Sequence, residues 1–96
     1  MLKVLLAECL GTMIFFLCIL SSTEVWAVGI GLMAAAHAFG KISGGHFNTT
    51  LSIVKYFKGE LDIGTLGLYI VAQVIGGILA LLFYQLNATK AGSKSK

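Results

Sequence analysis

Three stretches of this sequence, residues 4–20, 25–39 and 65–84, are apolar along nearly their whole length, and a fourth apolar stretch, 48–58, is much shorter. In lipid each backbone N–H and C=O must find a partner inside the protein, so such stretches cross as helices or not at all. Roughly 20 residues cover the roughly 30 Å hydrocarbon core, and the three long stretches approach or reach that length. The expected fold is an all-α membrane protein with three transmembrane helices and one re-entrant half-helix. With 57% hydrophobic residues, 11% charged and a mean hydropathy of +0.92, the chain is far from a water-soluble domain. The expected location is the membrane, crossed several times, with lipid as the surrounding partner.

The remaining composition excludes more than it suggests. The net charge of +3 comes from seven lysines against four acids, with no arginine. These lysines sit at segment ends and read as interfacial anchors; they form no basic stripe, so no nucleic-acid partner is expected. Cys9 and Cys18 lie nine residues apart, on roughly opposite faces of one helix, which argues against a disulfide and against a metal site. No cofactor is implied. Lys3 precedes the first apolar run, but that run carries Glu8, is long, and lacks an A-x-A site, so a cleaved leader is not expected. Residues 1–86 read as one unit, and the polar, Lys-containing residues 87–96 as a disordered basic tail.

The short stretch is the informative one. Residues 41–47 contain Gly44 and Gly45 and are not expected to form regular helix; 48–58 then resumes a helical apolar pattern with Leu51, Ile53, Val54 and Phe57. Ten residues of helix rise about 15 Å, half the hydrocarbon thickness, so this helix stops at the midplane. Irregular backbone at that depth survives only when buried in protein or lining a water-filled cavity. Asn48 is a favoured N-cap residue, which would aim the free N–H groups and the positive dipole end at the midplane. Such an end repels cations and offers donors to neutral polar molecules.

Three motifs in this order resemble one family. Ser43-Gly44-Gly45-His46-Phe47-Asn48-Thr49-Thr50 resembles the SGxHxNPA pore loop of the major intrinsic proteins, the aquaporins and aquaglyceroporins. Ala7-Glu8-Cys9-Leu10-Gly11-Thr12 looks like their first-helix AExxGT signature, and Tyr69, Ala72-Gln73 and Gly76 like their third-helix YxxAQxxG pattern. The resemblance reaches Leu86 and implies half of the aquaporin fold, the first of two inverted repeats. It implies that Glu8 accepts backbone N–H bonds from the pore loop, and that Gln73 braces the loop from the third helix. Carbonyls of Gly44, Gly45 and His46 would line the channel, and Asn48 would offer its amide to permeating molecules.

Two departures bear on selectivity. The NPA box is Asn48-Thr49-Thr50 in a chain without proline. Proline at the first helical position is pre-organised for the turn, so the tip is expected to be less rigid, while Thr49 adds a hydroxyl. The 96 residues hold no counterpart of the second repeat, whose arginine helps form the family's filter; the filter position on the second helix aligns with Val28. A filter built from this chain is apolar there, and strict water selectivity is not expected.

The plainer readings stand beside these. His37 is expected to be an ordinary polar group, and His46 to shape the loop without binding metal. Asn48-Thr49-Thr50 and Asn87-Ala88-Thr89 both match the glycosylation sequon, the first expected to be buried and the second a chance match. No nucleophile–base pair or phosphate-binding glycine loop is found, so an enzyme is not expected. The sequence thus points to a passive channel subunit for water or small neutral solutes such as glycerol. The pore would form from an inverted homodimer, within a larger homo-oligomer. The alternatives are a holin-like lysis protein and a non-conducting half that pairs with a separate partner. Lys3, Lys41, Lys55 and Lys58 would lie on one membrane face and Lys90, Lys94 and Lys96 on the other, a bias too small to impose one orientation.

Overall fold

The computed structural model describes residues 1–95, and side chains for residues 1–88. Four helices follow one another: α1 (Leu2–Ser21), α2 (Val25–Ser43), α3 (Thr49–Phe57) and α4 (Ile63–Ser95). Three segments, Leu2–Ser21, Val25–Ser43 and Ile63–Ala88, are long and apolar enough to cross a membrane. With only nine residues, α3 cannot cross.

Two boundaries differ from the sequence expectation. The first is α2, which continues through residues 41–43 and stops at Gly44, where φ is 90° and the N–H bonds the Gly40 carbonyl. A single interior glycine at position 40 costs about 1 kcal/mol relative to alanine, too little to end a helix that is packed on one side. Gly44, free of a Cβ, adopts the left-handed conformation that ends it. The second is α4, whose backbone is helical to Ser95, through most of the segment expected to be disordered. No glycine or proline interrupts residues 78–91, and alanine, lysine and leucine are good helix formers. The side chains of Lys90, Lys94 and Lys96, on which the charge balance partly rests, lie outside the described residues.

At the other end of α4, Asp62 accepts the Thr65 N–H at 2.7 Å, a cap that starts the helix. Hydrogen bonds from Thr65 hold the Asp62 carboxyl below the usual carboxylate range. Beside it Lys55 and Lys58 reach Glu60 at 3.2 and 3.7 Å, closing the exposed end of α3.

Packing is centred on α1, which contacts both α2 and α4, while α3 contacts α4. Small residues dominate the buried surface, among them Ala7, Ala35, Ala72 and Ala80. Helices in lipid gain little from burying apolar area against each other, so close backbone approach has to supply the packing. Gly31 lies over Cys18, where a Cβ would sit 2.6 Å from the cysteine Cβ. Gly76 lies over α1 so closely that a Cβ would run into the carbonyl oxygen of Cys9. Large apolar side chains such as Ile30, Met33, Val71 and Leu82 point outward, as lipid-facing residues do.

Candidate functional site: a re-entrant loop at mid-membrane

Between α2 and α3 the chain reverses within five residues, 44–48. Gly44, Gly45 and Phe47 all have positive φ, at 90°, 69° and 52°. Two glycines take this at no steric cost, but at Phe47 the left-handed conformation costs about 1–2 kcal/mol and needs outside support. The Phe47 N–H donates to Glu8 Oε1 at 2.9 Å, and its fully buried ring lies on Gly11, whose missing Cβ leaves the room. Gly11 sits at the middle of α1, about 15 Å from either end at 1.5 Å per residue. This contact sets the loop tip at the depth of the membrane midplane.

Glu8 organises the loop. It is fully buried, and each of its oxygens accepts two hydrogen bonds. Oε2 takes the Ser43 hydroxyl at 2.5 Å and the His46 N–H at 3.1 Å. Oε1 takes the Phe47 N–H and Gln73 Nε2, both at 2.9 Å. Four donors and no acceptor face this group, the environment an ionised carboxylate requires when it is removed from water. The charge also supports the loop, since bonds to a charged acceptor are roughly twice as strong as neutral ones.

A second tier ties α3 and α4 to the same loop. Gln73 Nε2 also donates to Ser52 Oγ at 2.8 Å, and Ser52 Oγ lies 2.8 Å from His46 Nδ1. With Gln73 donating to it, Ser52 can donate its own hydroxyl hydrogen bond to an unprotonated Nδ1, which leaves the ring proton on Nε2. The His46 ring packs at 4.8 Å on the ring of Tyr69, and the Tyr69 hydroxyl donates to the Ser43 carbonyl at 2.6 Å. Loop, half-helix and both flanking long helices are thus joined through buried hydrogen bonds.

Asn48 stands at the exposed tip and caps α3, its Oδ1 accepting the N–H groups of Thr50 at 2.7 Å and Leu51 at 3.3 Å. With that oxygen engaged, its amide N–H₂ is left to face outward as a donor. Two open grooves flank it. One, of about 540 Å³, is walled by apolar residues including Phe15, Leu32 and Val54, with Gly45, His46, Asn48 and Thr50 as its polar strip. The other, of about 490 Å³, runs between α1 and α4 and is lined by Thr12, Phe47, Asn48, Thr49 and Gln73 among mostly apolar neighbours.

The structure therefore gathers Glu8, Gly45, His46, Asn48 and Gln73 at one place, with Thr49 and Thr50 on opposite sides of the tip. Val28 is half-buried on α2 and lines neither groove, and Gly44 lines neither. His37 is exposed on α2, away from the network. Four residues of the network had no role assigned from sequence: Ser43, Ser52, Phe47 and Tyr69. Ser52 carried a signal, since it is a lone polar residue in the apolar part of α3. Phe47 carried none, because its importance lies in a backbone angle.

Replacing Asn48 by alanine removes both the cap and the outward donor. The expected result is a loss of about 1 kcal/mol in stability, measured by unfolding in detergent micelles. An unchanged unfolding midpoint would remove Asn48 from its capping role.

A family model described as Major intrinsic protein matches residues 1–95. The chain is 38% identical over 84 residues to "Glycerol uptake facilitator protein-like 6" of Lactiplantibacillus plantarum, covering 78% of this chain and 39% of that protein. It is 38% identical over 63 residues to "Glycerol uptake facilitator protein" of Bacillus subtilis, covering 66% and 23%. It is 43% identical over 54 residues to "Aquaporin Z" of Photorhabdus laumondii, covering 56% and 23%. This chain spans well under half the length of each of these relatives. No solved structure matches it.

Proposed function

The chain belongs to the major intrinsic protein family, and from that membership we propose that it forms one side of a passive channel for water or small neutral solutes such as glycerol. The observation that carries this reading is the loop clamped at mid-membrane by Glu8, with Asn48 at its tip. The N-terminus of α3 directs its positive dipole end and the Asn48 amide toward the midplane, an arrangement that repels cations. The groove beside it offers a narrow polar strip against apolar walls. A neutral molecule with hydroxyl groups can follow such a strip, whereas an ion finds no charge to replace its hydration. Relatives named as glycerol uptake facilitators and as an aquaporin support this solute class.

One half-helix forms one wall. α3 rises about 14 Å at 1.5 Å per residue, and a second of the same length entering from the opposite face completes the roughly 30 Å core. In this reading a second, inverted copy supplies it, within a larger homo-oligomer, and Glu8 and Gln73 hold each loop in shape while Gly45, His46, Asn48, Thr49 and Thr50, which line the grooves beside the tip, contribute to pore lining and selectivity. The described lysines on one face, Lys3, Lys41, Lys55 and Lys58, are balanced in sequence by three at the other end, which suits insertion in both orientations.

The test combines flux with topology. Proteoliposomes should show protein-dependent water or glycerol permeation by stopped flow, without proton or potassium conductance. Gross leakage of all solutes would indicate a holin-like pore, and no flux would indicate a half that needs a different partner. Reporters fused to the C-terminus, one active only in the cytoplasm and one only outside, should give comparable signals. A signal from one alone would overturn the inverted pairing.

A further inference from the structure

The groove of about 540 Å³ between α2 and α3 carries its polar groups in one strip, from Gly45, His46, Asn48 and Thr50, against apolar walls. These groups differ in what they can bond. Asn48 Oδ1 is taken up by the Thr50 and Leu51 N–H groups, so its amide offers donors alone. His46 Nδ1 is held by Ser52, which leaves the ring with a donor too. The backbone carbonyls of the strip offer acceptors alone. Thr50 stands apart from all of these. Its N–H goes to Asn48 Oδ1 at 2.7 Å, while its side chain is exposed and its hydroxyl has no partner among the described residues. A hydroxyl both donates and accepts. The alanine that ends an NPA box does neither.

We propose that Thr50 is a specificity-determining residue: its hydroxyl takes the second hydroxyl of a vicinal diol whose first is held by Asn48, so the groove favours such diols over isomers with separated hydroxyls. The inference rests on the channel reading above and narrows its solute class. A hydroxyl that enters between Phe15, Leu32 and Val54 leaves water behind, and needs partners in the wall instead. Asn48 supplies one by donating. The neighbouring hydroxyl of the same molecule then needs a partner one step further on. From residue 48 to residue 50 that step is about 3 Å along α3, at 1.5 Å per residue, which matches the separation of oxygens on neighbouring carbons. Both side chains open on this groove, whereas Thr49 between them lines the other. A diol with its hydroxyls on the end carbons spreads its oxygens over a longer step and meets one of the two side chains at a time. Water has a single oxygen, which Asn48 serves without Thr50.

Two variants at position 50 separate the hydroxyl from the size of the side chain. Purified protein in proteoliposomes is assayed by stopped flow with water, with propylene glycol, whose hydroxyls are vicinal, and with its isomer trimethylene glycol, whose hydroxyls are not. Each rate is corrected for protein-free vesicles. The wild-type chain should pass propylene glycol about fivefold faster than the isomer, the worth of one neutral hydrogen bond. Thr50→Val, equal in size but without the hydroxyl, should bring the two rates together and leave water flux close to wild type. Thr50→Ser should keep the preference. The Asn48 cap uses only the backbone N–H of position 50, so all three chains start α3 alike, and their water flux reports that they are folded. Equal rates for the two isomers in wild type, or a preference that survives Thr50→Val, would overturn the inference and leave the channel standing. A loss in Thr50→Val that falls equally on diols and water would make position 50 structural, and would overturn it as well. No protein-dependent flux of water or of either diol in wild type would overturn the channel reading, and the inference with it.

Discussion

Replacing Glu8 by glutamine is expected to lower the stability of the folded chain by about 3 kcal/mol and to abolish most of its flux, while membrane insertion is unchanged. The carboxylate accepts four bonds, two on each oxygen. Glutamine offers one oxygen and one N–H₂, so two of the four donors face another donor. If the amide nitrogen takes the Oε2 position, the Ser43 hydroxyl can turn and accept, but the His46 N–H cannot. If it takes the other, the Gln73 amide can turn to present its oxygen, but the Phe47 N–H is opposed, and the left-handed Phe47 loses its support. Either way a backbone N–H is orphaned at mid-membrane, and bonds to a charged acceptor, worth about 1.5–3 kcal/mol each, are replaced by weaker ones. Insertion depends on the apolar content of α1, which the change does not reduce. Unfolding in detergent micelles and stopped-flow flux measure the two effects. A variant with wild-type melting and wild-type flux would remove Glu8 from its role in holding the loop.

Gly76→Val should be comparably damaging for a different reason. A Cβ at position 76 collides with the Cys9 carbonyl oxygen and lies 3.0 Å from the Thr12 Cβ. The first obstacle is backbone inside a helix and cannot rotate away, so α1 and α4 must separate along the seam that also carries Glu8 and Gln73. Overpacking of this kind costs about 1–3 kcal/mol in ordinary cores and more where the obstacle is rigid. The same substitution at Gly67, also in α4, meets nothing within 4 Å. It is expected to change stability by less than about 0.5 kcal/mol beyond the propensity difference. Equal losses at the two positions would mean that helix propensity, not the close approach, governs the effect.

Membrane residence, three spans and a half-helix were legible in the sequence because lipid leaves the backbone few options. Each apolar stretch must satisfy its own hydrogen bonds, so its length and local composition decide what it becomes. Glu8 was conspicuous for the same reason, as an acid within a long apolar run. Less legible were the helix ends, where α2 runs to Ser43 and α4 to Ser95, because no residue before Gly44 or after Gly77 is a strong enough breaker. What Glu8 binds was legible only by resemblance: its partners are 35, 38, 39 and 65 residues away, and no periodicity links them. Wholly a matter of tertiary structure are the positive φ of Phe47, the seat of its ring on Gly11, and the unpaired oxygens of Thr12 and Gln73. Those depend on how closely α1, α4 and the loop approach one another. The sequence by itself determined which segments enter the membrane and how far, since that is settled between each segment and its solvent. The tertiary structure alone decided which polar groups are satisfied and which are left waiting, since that is settled between segments.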